Sequence, residues 1–414
     1  MTARSLEVGL AEARVLVCAG TGGVGKTTIA AALAVQAARA GRRTLVLTID
    51  PARRLADALG LASLDSKPAS VDLAALDPEL ASVEGASLDA MMLDAKPTFD
   101  RLILRLTADD EQRERILGNR IYQNLSSALA GSAEYAAMEQ VHELVHSGDY
   151  DLVVVDTPPS DHALDFLRAP RRLREFLESR FVATLVRPAM SASRIGIRLF
   201  GRPLHRMLSL LERIAGVGFL DDLTEFLSAI DGLSQGFRER ATRVEEVLLG
   251  PDTGFVLIAG PHRGASAGTL EFLSELERFR VPLIGVVVNR VRPWPPATSP
   301  MQLLEACQGE ALARDEARLA AERDGEAGRR IGEAVLEAAR IAVAEHRTVD
   351  ALERAVARLQ VRCTTVPELA GDVERMAGLL EIGRVLTAAA ATEPDDAAKE
   401  PDDAAPPEPE RPSR

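Results

Sequence analysis

The amino-acid sequence predicts a doubly wound α/β fold, a mainly parallel sheet with an inserted α-helical subdomain. Three observations lead there. Short β-branched runs recur at Val15–Ala19, Thr44–Ile49, Leu152–Asp156, Phe255–Ala259, Leu283–Val288 and Val361–Val366. They are apolar at successive positions instead of alternating, as strands covered on both faces are. Between the first two lies TTIAAALAVQAARAG, an Ala-rich helix ended by Gly41, so strand, helix and strand follow in the order of a parallel unit.

Along the chain, sheet segments are expected at about residues 14–60, 132–170, 255–292 and 360–388. Helical stretches at about 61–131 and 171–250 read as one subdomain grafted onto the sheet. A helical insertion at about 302–358, rich in Ala, Glu and Arg, reads as a solvated helix face. Residues 1–390 are thus one expected domain with insertions, consistent with 414 residues, 46% of them hydrophobic. From Glu393 to Arg414 the chain holds eight acids, three bases and the repeated segment EPDDAA. Such a tail buries too little apolar surface to offset its ordering entropy, so disorder is expected there.

Charge and cysteine usage narrow the function. Acids outnumber bases, 62 against 49, for a net charge of −13, which argues against a nucleic-acid partner. No apolar run reaches the roughly 18 residues of a membrane span, and the N-terminus lacks a signal-peptide core; a cytoplasmic protein is expected. Cys18, Cys307 and Cys363 lie far apart, which fits neither a disulfide framework nor a zinc site. Only four lysines occur, Lys26, Lys67, Lys96 and Lys399, so each invites the question of why arginine's flat fork was not used there.

The first of those lysines lies in GTGGVGKTT, Gly20 to Thr28, which satisfies GxxxxGK[ST] after a strand and before a helix. Gly20, Gly22, Gly23, Val24 and Gly25 can turn backbone N–H groups around phosphates, and the helix start at Thr27 and Thr28 adds its positive dipole end. Lys26 reaches the β- and γ-phosphates of ATP, and the Thr27 hydroxyl ligates Mg²⁺. Next, LTIDPARRLADALG puts Asp50 at a strand's carboxyl end, where it could orient or deprotonate an attacking water. The run DLVVVDTPPSDHALDFL then gives Asp156, a Walker-B-like carboxylate for Mg²⁺ through water, followed by a loop able to sense the γ-phosphate. GVVVNRV ends a strand at Asn289, whose amide could read adenine.

GGVGKTT, TIDPARRLADAL, DTPPSDHALDFL, VVVNR and TVPELAGDVERMAGL follow one another as they do in ArsA-like ATPases, and the chain resembles that family across its sheet core. The family holds catalytic subunits of arsenite pumps and ATPases that deliver tail-anchored membrane proteins. The resemblance implies a P-loop NTPase of the deviant Walker A class, a Mg-ATP-driven dimeric switch with sites facing across an interface. It assigns Asp50 to switch I, Asp156, Thr157, Pro159 and His162 to switch II, and Val366–Glu368, with Pro367, to the loop beside the base. The partner is then an identical or a paralogous ArsA-like chain. Three departures stand out: Thr21 occupies the place of the family's second P-loop lysine, no CxxC occurs, and a single P-loop is present.

Two further features compete for attention. His142-Glu143-Leu144-Val145-His146 matches HExxH, with Glu175 or Glu178 as a conceivable third zinc ligand; the plainer reading is a helix surface. From Arg168 to Arg213 there are eleven arginines against three glutamates, with Arg194 and Arg198 on one helical face. Either this stripe is the subdomain's own core with solvated arginines, or it docks a client helix or an anionic membrane surface, placing the protein at the membrane periphery. Rivals to the ATPase switch are a ParA/MinD-like positioning ATPase and a nucleotide-gated binding subunit that hydrolyses ATP weakly, the latter favoured by Thr21.

Overall fold

Among the described residues eight strands build one sheet: β1 (Val15–Gly20), β2 (Arg43–Thr48), β3 (Ala69–Ser70), β4 (Ser87–Met92), β5 (Leu152–Asp156), β6 (Thr253–Ala259), β7 (Leu283–Val291) and β8 (Cys363–Pro367). Their order is β3-β4-β2-β5-β1-β6-β7-β8, parallel except for the short antiparallel β3–β4 pair. The computed structural model describes residues 6–50, 53–128, 132–158, 165–178, 219–295, 299–308, 312–369 and 376–388. Pro159, His162, Arg194, Arg198 and the acidic tail lie outside the described residues.

β1 explains why the runs are apolar at every position. Val15, Val17 and Ala19 join one hydrophobic cluster, Leu16 and Cys18 the other, and all five are buried. In β5 the same alternation sends Val153 and Val155 to the first cluster and Leu152 and Val154 to the second. A strand buried on both faces has no solvent side to carry polar residues.

The helices are α1 (Leu6–Glu12), α2 (Lys26–Arg39), α3 (Arg54–Ala58), α4 (Leu73–Leu76), α5 (Ala95–Leu106), α6 (Asp110–Gly118), α7 (Arg120–Ala128), α8 (Ser132–Ser147), α9 (Asp165–Glu178), α10 (Phe219–Leu249), α11 (Arg263–Phe279), α12 (Pro300–Gln308), α13 (Leu312–Ala357) and α14 (Met376–Ala388). On one face α2 packs with Ile29 through Val35 without exposed surface, its alanines letting the helix lie close to the strands. α14 packs against α2. On the other face α5 to α10 form a bundle around α8 and α10. Leu102, Met138, Val141, Phe237 and Val244 join the bundle to Val153 and Val155 in one continuous core. Truncating Leu102 to Ala there would cost roughly 2–5 kcal/mol. Among the described residues no helix is long and apolar enough to cross a membrane.

Four sequence expectations need correction. The stretch 61–131 is not wholly helical, because β3 and β4 lie inside it and β4 pairs with β2. Asp89 disguises that strand; its carboxylate accepts hydrogen bonds from Ser70 and Tyr150 hydroxyls, 2.7 Å each. The helix at 302–358 is not just a solvated face either. Ile331 and Val335 are exposed, but Ala339, Ala342, Glu345, Leu352 and Val356 are buried, and α13 packs on β7, β8 and α11.

The HExxH segment is not a helix surface at His142, which is buried with its ring stacked 4.0 Å from that of His146. Among the described residues neither His142 ring nitrogen has a hydrogen-bond partner, and burial, with Arg240 beside it, pushes its pKa down to about 3. Among the described residues no three His, Cys, Asp or Glu side chains gather as a metal site would need. Lastly, the described start of the arginine-rich segment is not simply solvated. Arg168 of α9 pairs with Glu275 of α11 at 3.0 Å and lies 5.5 Å over the Phe279 ring, while Arg174 pairs with Glu245 of α10 at 2.6 Å.

Candidate active site

Register brings the motifs together. β1 and β5 pair with Cys18 opposite Asp156, and β2 and β5 pair with Thr48 opposite the same aspartate. The glycine-rich loop leaves the end of β1, and Asp50 follows Thr48 by two residues. All three segments therefore converge at the carboxyl ends of the strands beside β1, where ligands bind in open α/β sheets. A cleft of about 720 Å³ opens there, lined in part by Gly23, Gly25, Lys26, Thr27, Thr28, Asp50, Arg54 and Thr157. Asn289, Arg290, Pro367, Glu368, Leu369 and Ile382 line it as well. Gly20 closes β1, and Gly22 lies exposed in the loop.

The loop's shape requires glycine at two places. Gly25, the N-cap of α2, has φ 90° and ψ 32°, and Gly23 has φ 78°. Left-handed backbone of this kind is costly for any residue with a Cβ. A Cβ on Gly25 would also strike the Asn289 amide. That amide donates to the Val24 carbonyl at 2.9 Å and is buried, so Asn289 braces the loop from β7.

Lys26 is buried with its ammonium turned onto its own loop, donating to the carbonyls of Gly20 (3.1 Å) and Thr21 (3.0 Å). Burial lowers its pKa, against the pull of Asp156 and Asp50. A three-donor ammonium on a flexible stem can exchange such carbonyls for phosphate oxygens.

Asp156 is fully buried, and burial pushes its pKa up to about 6 although the hydroxyls of Thr27 and Thr48 and the Lys26 charge favour the ionised form. Thr48 Oγ1 donates to Asp156 Oδ2 at 3.0 Å and accepts the Asp50 N–H at 3.2 Å, so one hydroxyl serves both acids. Asp156 Oδ1 keeps no hydrogen-bond partner among the described residues. An orphaned carboxylate oxygen beside the Thr27 hydroxyl is the kind of hard oxygen donor set that suits Mg²⁺. The residues fit the ion.

Asp50 is half-buried and pairs with Arg54 at 3.3 Å. Arg53 donates to the Ala62 carbonyl. The Thr157 hydroxyl donates to the Cys18 carbonyl at 2.8 Å, stitching the end of β5 to β1. Thr21 Oγ1 is buried without a partner among the described residues, and a Cβ on Gly268 of α11 would lie 3.1 Å from Thr21 Cγ2. Its side chain therefore packs inward.

Sequence reasoning missed Thr48 and Arg290. Both lie beside residues it singled out, Thr48 two before Asp50 and Arg290 directly after Asn289; a strand-end polar residue next to a candidate acid was the signal for the first.

The profile of the family described as Anion-transporting ATPase matches residues 13–311. The chain belongs to the anion-transporting ATPase family. It is similar to an ATPase get3 of Aspergillus terreus, 26% identical over 274 residues, covering 66% of this chain and 71% of that protein. An ATPase GET3 of Malassezia globosa is 26% identical over 281 residues, 68% of this chain and 73% of its own. An ATPase ARSA2 of Chlamydomonas reinhardtii is 27% identical over 289 residues, 69% and 70% of the two chains. The protein is an ATP hydrolase of this family, with an α/β fold of the P-loop type.

Proposed function

We propose that this family member is a Mg-ATP-driven switch. Two copies, or this chain and a paralogous partner, close over nucleotide, and closure moves a helical subdomain that receives a client protein or membrane-associated partner. Connectivity is the observation that carries the reading. α8 leads into β5, whose last residue is Asp156, and α9 opens at Asp165. The segment 157–164, with Thr157, Pro159 and His162, thus joins the phosphate end of the cleft to α9. α8 and α9 pack on each other and on α10.

The geometry supports a role for each residue. Lys26 trades its loop carbonyls for β- and γ-phosphate oxygens, while the backbone from Gly20 to Thr28 cradles them. Asp50, steadied by Arg54 and Thr48, orients the attacking water. Thr27 and Asp156 would hold Mg²⁺, which when bound would neutralise charge on the phosphates. Asn289 and the Pro367 loop take the base end.

Thr21 favours a second reading, a nucleotide-gated subunit with slow turnover of its own. A lysine at this place would offer a cation to a facing chain; a threonine packed on Gly268 offers none. Arg53 and Arg54 are engaged with Ala62 and Asp50. A trans-acting cation contributes about 10³–10⁵ in phosphoryl transfer, so its loss is felt in rate. Measuring turnover against protein concentration, with light scattering in the presence of a non-hydrolysable ATP analogue, tests the switch. Turnover that rises with concentration alongside a nucleotide-dependent dimer is expected. A nucleotide-loaded monomer with concentration-independent turnover, unaffected by Thr21→Lys, would overturn it.

A further inference from the structure

We propose that Arg290 is a base-contacting residue of the cleft, its guanidinium plane stacking on the adenine ring. This rests on the reading of the cleft as an ATP site. β7 pairs regularly with β8 as far as Asn289 opposite Val366 and then slips, so that Val291 meets Pro367. Arg290 occupies the slip in a left-handed conformation, φ 63°. Bulges re-aim side chains, and a non-glycine residue in left-handed backbone persists only where its surroundings hold it.

The surroundings here are identifiable. On one side the Asn289 amide is fixed to Val24 of the loop at 2.9 Å. On the other, Glu345 of α13, only 2% exposed, accepts the Arg292 backbone N–H at 2.9 Å. Arg292 Nε lies 3.7 Å from Glu345 and 3.8 Å from Glu368, and the Val291 carbonyl accepts the Glu368 N–H at 2.8 Å. Between these pins Arg290 is exposed and lines the cleft. Arg54 and Arg292 in the same region are ion-paired; the Arg290 guanidinium has neither an ion pair nor a hydrogen bond among the described residues.

The chemistry of this end of the cleft selects the part of the ligand it meets. Pro367, Leu369 and Ile382 add apolar side chains to the lining of the same cleft. A flat heteroaromatic ring takes apolar contact on one side and a guanidinium plane on the other. Phosphates, by contrast, are served at the loop around Lys26. A strained, pinned arginine with no partner among the described residues is therefore pre-set for the base.

Calorimetry on the full chain with two ligands, ATP and inorganic tripolyphosphate, separates the base from the phosphates. Arg290→Ala is expected to weaken ATP binding about tenfold and to leave tripolyphosphate binding unchanged. Arg290→Lys, which restores charge without the plane, recovers only part of that loss. Lys26→Ala weakens both ligands. Because Arg290 is exposed, its removal strands no buried group, and an unchanged melting temperature checks that the fold persists. Unchanged ATP affinity in Arg290→Ala, equal loss for both ligands in a folded variant, or full recovery by lysine would overturn the stacking contact while leaving the cleft an ATP site. Failure of the wild-type chain to bind either ligand would overturn both.

Discussion

Lowering the pH from 8 to 5 is expected to destabilise the protein by about 2 kcal/mol through one side chain, His142. An unfolded imidazole titrates near 6.5; in the bundle, burial first and Arg240 second, with His146, Arg243 and Arg105, push it down to about 3. Between those values the unfolded chain binds a proton that the folded chain refuses, so stability rises with pH across that window. The contribution is whole above about pH 6.5 and is lost as pH falls towards 3. At pH 5 the unfolded state gains a factor of about 30, which converts to about 2 kcal/mol. Glu139, one helical turn earlier, has its pKa raised by burial despite its Arg240 partner, and its contribution carries the opposite sign. His142→Leu separates the two, because it removes the histidine alone. It also removes two ring nitrogens that have no partner among the described residues from a buried site, so at pH 8 the variant is at least as stable. Urea unfolding followed by circular dichroism at pH 8, 7, 6 and 5 is the assay. The variant's advantage should widen by about 2 kcal/mol from pH 8 to 5; an advantage independent of pH would refute the reasoning.

Three other changes have distinct signatures. Lys26→Ala should abolish binding of a fluorescent ATP analogue, and undiminished affinity would remove the loop from the site. Asp50→Asn should keep ATP binding while turnover falls at least tenfold, since its ion pair with the exposed Arg54 holds only about 1 kcal/mol or less; parallel loss of binding and turnover would make Asp50 structural. Arg240→Ala leaves the fully buried Glu139 without its 2.7 Å partner and should cost about 3–5 kcal/mol in urea unfolding, with Glu139→Gln in the same background restoring part of it. No recovery there would mean that lost packing, not a stranded charge, sets the penalty.

Strands apolar at every position, such as β5 with Leu152 to Val155, were legible because burial on both faces leaves no room for alternation. β4 was not, since its SLDAMM carries Asp89, and only the distant Ser70 and Tyr150 hydroxyls make that acid tolerable in a sheet. The P-loop was legible from spacing alone, because its backbone demands glycine at Gly23 and Gly25. Asn289 shows the limit. Its place at the end of β7 was readable, but its amide's bond to the Val24 carbonyl, 265 residues earlier, belongs to the tertiary fold. His142 was misread for a related reason: HELVH shows helical spacing, yet which side of α8 is buried depends on α10 and its Arg240.

The two faces of the sheet differ in a way that bears on the proposed switch. On the α2 face, Ala30, Ala31, Ala32 and Ala34 hold the helix close to the strands, and the loop at its N-terminus inherits that rigidity. On the bundle face, Val153 and Val155 of β5, just before Asp156, pack into the same core as Met138, Val141 and Phe237. Close-packed interiors transmit displacement because they do not compress, so a shift beyond Asp156 is passed on as movement of whole helices. α8 precedes the start of β5 and α9 follows its end, so the proposed switch would move one helix against the other. Geometry then amplifies the shift. α10 has 31 residues and spans roughly 45 Å, so a tilt of about 5° at one end carries the other end about 4 Å. Under the proposed switch, a phosphate anchor on one face and a long lever on the other would turn small changes at the γ-phosphate into large ones at the far end of the bundle.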